Sequence, residues 1–250
     1  MSDDDQLTIV LDVGNSGVKL GAVKGSDVSG PRRLPKADGR TVREFATPLL
    51  QDGEGCFVVY GSDPGKVKDL AWEIDKLRLG KVITLEPGSR GLPPAKVEQP
   101  ERAGMDRRVQ VLGASALALG PAVVVSCGTA LTVDVADADG ALLGGAILPG
   151  LTLGMRALAA ATARLPVINL EGKVEVPGRD TDVAIRTGVI LGAAGAVERI
   201  VGGLEQPDVV VFLTGQDAAL LGPRLALRHR THPGLGLFGA AVAVRRAAAS

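Results

Sequence analysis

The feature that most constrains the fold is a strand–turn–strand pattern that occurs twice in the chain. In each copy a polar, glycine-bearing turn separates two short apolar runs, an arrangement typical of a β-hairpin. The paired runs are residues 7–12 with 18–23, and residues 122–125 with 131–136. We therefore predict a hairpin at each place.

The two patterns also align residue by residue at their turns. Asp12-Val-Gly-Asn-Ser matches Ser126-Cys-Gly-Thr-Ala, and the separation is close to half of the 250 residues. This spacing predicts two related halves, residues 1–120 and 121–250, each opening with a hairpin.

The segments between and after the hairpins alternate between helical and extended patterns. Gly91–Pro100, with three prolines, is predicted to be a connector. The alternation predicts an α/β protein. Helices are expected over residues 42–50, 66–79, 106–119, 152–163, 180–203 and 235–249, and buried strands over 56–60, 82–85 and 209–213.

Composition excludes several classes of function. The chain has 28 basic and 28 acidic residues, and only 2% of its residues are aromatic, so a basic or base-stacking nucleic-acid surface is not expected. Two cysteines and an acidic N-terminus favour a cytoplasmic protein. The longest uncharged run, residues 109–133, contains Gly120-Pro121 and several polar residues, which is unlike a membrane span.

Three familiar motifs are better explained as ordinary structure. Gly234-Leu-Gly-Leu-Phe-Gly239 has the glycine spacing of a dinucleotide loop, but no strand leads into it and no acid can follow at the required distance. Gly61-Ser-Asp-Pro-Gly-Lys66 is one residue short of a phosphate-binding P-loop, so we interpret it as a turn. His229 and His232 lack a third metal ligand nearby in the sequence.

The first hairpin turn carries residues suited to a polyphosphate. Small residues let phosphates approach backbone N–H groups, Asp12 could orient a hydrated Mg²⁺, and Lys19 could neutralise charge. A plain hairpin explains the same residues, although Gly128-Thr129 repeats the chemistry in the other half. The candidate segment is Asp12, Val13, Gly14, Asn15, Ser16, Gly17, Val18 and Lys19.

A second candidate lies where a helix is predicted to begin, at Gly104-Met105-Asp106-Arg107. Asp106 either caps the helix or accepts a proton from an attacking hydroxyl, and the residue pattern does not separate the two. Arg107 could hold an anionic group of a substrate. Further on, three glycines near one face of the predicted helix over residues 180–203 suggest that another backbone packs there.

Taken together, these segments resemble the type III pantothenate kinases, a family of the duplicated actin-like (ribonuclease H-like) ATPase fold with two related halves. The landmarks occur in the family's order over nearly the whole chain. They are Asp12 to Lys19, Gly104 to Arg107, Gly128 to Asp134, Gly144 to Leu151, Thr162 to Pro166, and Gly178 to Gly188.

The resemblance implies transfer of the γ-phosphoryl group of ATP to pantothenate in the first step of coenzyme A synthesis. Asp106 matches the catalytic base, Asp12 to Lys19 the first phosphate loop, with Asp12 also at the Mg²⁺, and Gly128-Thr129 the second loop. Gly104 to Arg107 and Thr181 fall on pantothenate-contacting positions. Family members are homodimers with the pantothenate pocket near the interface.

The chain departs from the family at several positions. Ser126 stands where the family has an aspartate that helps hold a monovalent cation, K⁺ or NH₄⁺, and Val97 replaces a tyrosine of the pantothenate pocket. Gln216 replaces a glycine near the adenosine. Two alternatives therefore remain: a non-catalytic accessory relative, or a kinase of the same superfold acting on another small hydroxylated substrate.

Overall fold

The computed structural model describes residues 6–15, 17–50, 54–204 and 209–249. The chain divides into two units. The first contains the residues up to Pro121 together with Ala136–Leu143 and Gly234–Ser250; the second contains Ala122–Val135 and Gly144–Pro233. The last helix thus packs in the first unit although it lies at the end of the chain.

The first unit is built on a five-stranded sheet with the order β3-β2-β1-β4-β5. Strands β1 to β3 form an antiparallel meander, whereas β4 and β5 run parallel to β1. The strands are β1 (Thr8–Gly14), β2 (Gly17–Lys24), β3 (Asp27–Leu34), β4 (Gly55–Gly61) and β5 (Gly80–Thr84).

Helices cover both faces of this sheet, because β1 and β4 are apolar on both sides. One face carries Val10 and Val58 and packs against α3 and α7; the other carries Leu11 and Phe57 and packs against α1 and α2. The helices are α1 (Gly39–Leu50), α2 (Pro64–Asp75), α3 (Met105–Ala118) and α7 (Leu235–Ala249).

The second sheet has the order β10-β9-β6-β7-β8, which is the same topology as the first when its strands are counted from β6. Strands β6 and β9 are parallel, as are β9 and β10. The strands are β6 (Ala122–Cys127), β7 (Ala130–Ala136), β8 (Leu142–Pro149), β9 (Val210–Thr214) and β10 (Arg230–Thr231). The predicted duplication is therefore visible as a repeated strand order.

The described residues of the second unit form three α-helices: α4 (Leu151–Ala161), α5 (Thr181–Val201) and the short α6 (Ala218–Leu221). Two apolar clusters hold the unit together. One joins the sheet to α5 and α6 through residues such as Val125 and Val197; the other joins α4 to α5 through Met155 and Ile185.

Most predicted elements are confirmed to within a few residues, but four elements are not anticipated by the sequence. Strand β3 contains Gly30 and Pro31 and is largely exposed, so it lacks both the apolar pattern and the usual composition of a strand. Strand β8, helix α6 and the two-residue β10 were also missed. The predicted turn at residues 61–66 instead begins α2, with Asp63 as the N-cap and Pro64 in the first turn.

None of the described helices is long and apolar enough to cross a bilayer.

Glycines at the ends of β4 and β9 show the internal repeat at atomic detail. A Cβ on Gly61 would overlap the carbonyl oxygen of Val13, and a Cβ on Gly215 would overlap that of Cys127. The end of β4 therefore lies against the backbone of β1, and the end of β9 lies against the backbone of β6. Neither place leaves room for a side chain.

The glycine spacing at residues 234–239 serves helix packing. A Cβ on Gly239 would overlap the carbonyl oxygen of Val109 in α3, and Gly113 of α3 lies against the same part of α7. Helices α3 and α7 therefore cross with their backbones in direct contact, which only residues without side chains allow.

We expect Gly239→Ala to lower the free energy of unfolding by about 2–3 kcal/mol or more, because the added methyl overlaps backbone that cannot rotate away. Urea unfolding followed by circular dichroism measures this. Gly120→Ala is the matched control, since a Cβ there meets nothing within 4 Å. Equal stability of the two variants would contradict the packing assigned to α3 and α7.

Candidate functional site

A row of four side chains crosses one face of the first sheet at the end of β1. Asp12 pairs in register with Lys19 on β2 and with Tyr60 on β4, and Lys19 pairs with Arg33 on β3. Partners in register place their side chains on the same face of a sheet. The row therefore runs Arg33, Lys19, Asp12, Tyr60, on the face covered by α3 and α7.

Asp12 is the buried acid of this row. It is 8% exposed, and its Oδ2 lies 3.5 Å from Nζ of Lys19. Burial raises the pKa of Asp12, the ammonium of Lys19 lowers it, and the carboxylate of Asp106 raises it further. The net shift is upward, so the site disfavours the anionic form until more positive charge is supplied.

Tyr60 lies beside Asp12 on the neighbouring strand β4 and is completely buried. Burial raises the pKa of this phenol well above its ordinary value, and the negative charges of Asp12 and Asp106 add to the shift. A Cβ on Gly236 of α7 would lie 2.8 Å from the Tyr60 hydroxyl. The phenol therefore stays neutral and is held against α7 by close packing.

The first predicted hairpin is confirmed by the antiparallel pairing of β1 with β2. Gly14 pairs in register with Gly17, and Asn15 is exposed. Ser16 lies outside the described residues. Val13 and Val18 point into the core on the opposite face, so only their backbone could contribute to a phosphate site.

Asp106 lies in the first turn of α3 and is exposed. The residue preceding the helix is Gly104, and no side chain caps the helix, so the interpretation of Asp106 as a cap is wrong. A Cβ on Gly104 would lie 2.5 Å from Oδ1 of Asp106. Gly104 thus leaves the space into which the carboxylate folds, close enough to act on Asp12.

The other residues of this segment differ in exposure. The Met105 side chain is buried in the core, and Arg107 is half-buried. Val97, on the connector, is half-buried as well.

The second predicted loop, Gly128-Thr129, joins β6 to β7 in the second unit. Gly150, immediately before α4, donates its N–H to the Thr129 carbonyl at 3.1 Å. A Cβ on Gly150 would overlap the Gly128 carbonyl oxygen. The loop is therefore fixed by backbone contact with the N-terminus of α4, and Thr129 is exposed.

Ser126 occupies the place in the second sheet that Asp12 occupies in the first. It pairs in register with Thr214 on β9, as Asp12 pairs with Tyr60 on β4. The neighbouring Cys127 is buried, and burial together with the charge of Asp217 raises the pKa of its thiol to about 12. A protonated, buried thiol is not a nucleophile.

Thr181 is the exposed first residue of α5, and Asp180 caps the helix by accepting a hydrogen bond of 2.8 Å from the Val183 N–H. Along the same helix, Cβ atoms on Gly188, Gly192 or Gly195 would meet nothing within 4 Å. The predicted close backbone neighbour is thus absent within the described part of this chain.

The residues described offer no cluster of three or more side chains suited to a metal ion. Mg²⁺ in phosphoryl-transfer sites is usually held by one or two carboxylates, substrate phosphates and water. Asp12, a buried carboxylate whose anionic form lacks sufficient positive charge around it, fits that donor set.

Sequence reasoning missed Tyr60 and Arg33 as members of this site. Tyr60 ends a predicted buried strand, and the carboxyl ends of parallel strands meet at one edge of a sheet, so a signal for it was present. Arg33 lies on β3, which the sequence does not reveal, and no local pattern could have found it.

Comparison of the sequence with known proteins gives a consistent result. The family model described as type III pantothenate kinase matches residues 8–202. A type III pantothenate kinase of Thermobifida fusca is 30% identical over 93% of this chain and 96% of its own length. One from Dechloromonas aromatica is 45% identical over a shorter match, 57% of this chain and 59% of that protein.

Solved structures similar to this one show the fold. A Campylobacter jejuni protein described as a Baf family transcriptional activator superimposes with a TM-score of 0.64 and 18% identity, covering 97% of this chain and all of that one. A Porphyromonas gingivalis protein described as an N-acetylglucosamine kinase gives a TM-score of 0.50 and 12% identity, covering 94% and 98%. The predicted duplicated actin-like fold is confirmed.

We expect the single tyrosine to resist ionisation while the protein is folded. Absorbance at 295 nm should show no phenolate near pH 10, whereas the urea-unfolded chain should titrate at about 10. Because the native state holds this proton more tightly, the free energy of unfolding should fall as the pH rises above that value. Tyr60→Phe is the control, and phenolate formation near pH 10 in the folded protein would refute the buried position.

Proposed function

The chain belongs to the type III pantothenate kinase family, and on that premise we propose that it phosphorylates pantothenate with ATP, forming 4′-phosphopantothenate in the first step of coenzyme A synthesis. The observation that carries this proposal is that α3, with Asp106 in its first turn, packs on the face of the first sheet that carries Asp12. The family's base and its first phosphate loop come from distant parts of the sequence, yet the charge of one raises the pKa of the other.

We assign polyphosphate binding to the two hairpin turns. In the first unit, backbone N–H groups at Gly14 to Gly17 and the Lys19 ammonium would face phosphate oxygens. Gly128 and Thr129 of the second unit would supply the other loop. Small residues at both turns favour this role because phosphates must approach the backbone closely.

Asp106 is the proposed general base. Its exposed carboxylate would accept the proton of the pantothenate hydroxyl as that oxygen forms a bond to the γ-phosphorus and the bond to the β-phosphate oxygen breaks, releasing ADP. Arg107, next along α3, would pair with an anionic group of pantothenate. Gly104 keeps the space beside the carboxylate free.

A bound Mg²⁺ would supply positive charge that offsets the negative charge developing on the phosphates. Asp12 is the residue we assign to it. A cation beside this buried carboxylate would favour its anionic form, the form that burial disfavours in the free protein.

We also propose that Ser126 lies at the monovalent cation site. A hydroxyl is a neutral ligand where the family has a carboxylate, and Thr214 beside it adds a second neutral oxygen. We therefore expect this chain to bind K⁺ or NH₄⁺ weakly.

A homodimer is proposed on the surface formed by α4 and α5. Gly188 and Gly192 leave open space on α5, and Leu153 and Leu158 of α4 are 46% and 38% exposed. An apolar groove flanked by small residues suits the close approach of another helix. Thr181 lines the same groove, so a second copy of the chain would bring its helices close to a pantothenate-contacting position.

We place the enzyme in the cytoplasm, where ATP is available. Both cysteines, Cys56 and Cys127, are free and buried in the structure, which suits a reducing compartment.

We expect Asp106→Asn to lower kcat by about 10²–10⁴-fold, the usual contribution of a general base, without loss of folding. The measurement is pantothenate-dependent ADP release, run in parallel with sodium, potassium and ammonium, with the product identified by mass spectrometry.

Asp69→Asn provides the control, because Asp69 is exposed on α2 and should keep activity within about twofold. Full activity of Asp106→Asn would remove the base assignment. If the wild-type protein releases no pantothenate-dependent ADP with any of the three cations, the proposed function fails and a non-catalytic relative is favoured.

Gly192→Arg should convert a dimer to a monomer that remains folded, because the added side chain enters open space in one chain but would collide with a second copy. Sedimentation velocity gives the oligomeric state and circular dichroism the helix content. Gly120→Arg is the control, being a glycine with open space outside α4 and α5. Sedimentation of both variants as dimers would show that this groove is not the interface.

A further inference from the structure

Strand β3 places an arginine, Arg33, in the row of side chains that contains Lys19 and Asp12. In the register of β2 with β3, Lys19 pairs with Arg33 and Leu20 pairs with Arg32. The two arginines therefore project from opposite faces. Arg33 joins the row of Lys19 and Asp12, whereas Arg32 lies 5.8 Å from the ring centre of Phe45 on the other face.

The charges near Asp12 indicate what Arg33 contributes to this row. Lys19 is close to Asp12, so the two charges largely cancel, and this pair alone offers no net attraction to a triphosphate. Because the carboxylate of Asp106 also acts on Asp12, Lys19 alone would leave this edge with a net charge of −1, and Arg33 brings the two acids and two cations to zero. Its positive charge also lowers the pKa of Asp12, as the smallest of the five influences on that group.

The distances suit a shared ligand. Strands are about 4.8 Å apart, so the Arg33 backbone lies about 10 Å from that of Asp12, two strands away. Arg33 is exposed, and the Lys19 side chain is 44% exposed. Both cationic groups can therefore reach a phosphate chain lying over this edge of the sheet.

We propose that Arg33 binds the polyphosphate of the nucleotide together with Lys19. The inference rests on the proposed function and adds a binding residue that neither hairpin turn contains. The planar guanidinium would donate two parallel hydrogen bonds to two oxygens of one phosphate.

The test compares Arg33→Gln with Arg32→Gln, which removes the same charge from the same strand on the opposite face. Calorimetric binding of a non-hydrolysable ATP analogue, the β,γ-imido triphosphate, should weaken about tenfold in Arg33→Gln, the loss expected for one charge-assisted contact. It should change less than about twofold in Arg32→Gln, and Arg33→Lys should recover part of the affinity.

Steady-state kinetics provides the second readout. In Arg33→Gln the KM for ATP should rise while the KM for pantothenate stays within about twofold, a split that mere loss of stability would not produce. Equal binding by the two glutamine variants, or an equal rise in both KM values, would overturn the assignment. Inactivity of the wild-type protein would instead refute the kinase function, and analogue binding would still test Arg33.

Discussion

The candidate site residues lie at the ends of neighbouring strands, and their arrangement depends on a close backbone contact that occurs once in each unit. Gly61 lies against the Val13 carbonyl and Gly215 against the Cys127 carbonyl, where any side chain would overlap main-chain atoms. These contacts hold the end of a parallel strand beside the end of the first strand. As a result Tyr60 stands next to Asp12, and Thr214 stands next to Ser126.

The same contact explains the electrostatics of the first unit. A carboxylate at the end of a buried strand loses hydration, and Asp12 is surrounded by the neutral phenol of Tyr60 on one side and a single ammonium on the other. Since burial outweighs Lys19, the pKa of Asp12 is raised. The free protein thus holds an acid whose ionised form gains stability from added cations, which is the property a Mg²⁺-nucleotide site requires.

The two units share a topology but differ in chemistry at matching places. The first unit has an acid and a phenol side by side, and the second has two hydroxyl residues, Ser126 and Thr214. The second loop instead takes its rigidity from Gly150, which contacts the Gly128 and Thr129 backbone. The glycines of α7 likewise permit a tight helix crossing with α3, so a spacing that resembles a nucleotide loop has a packing role.

The sequence by itself determined the hairpins, their repetition and most helices, because apolar periodicity and turn residues act over short distances. It also indicated the family and put forward Asp12 and Asp106 as candidate site residues, since these are carried by ordered local motifs. Only the tertiary structure decided that Asp106 does not cap its helix, that Tyr60 lies against Asp12, and that Arg33 belongs to the same row. Those relations depend on the register in which the strands pair. The position of Arg33 also depends on β3, an exposed strand with a glycine and a proline, which forms because β2 pairs with it and not because its own residues favour a strand.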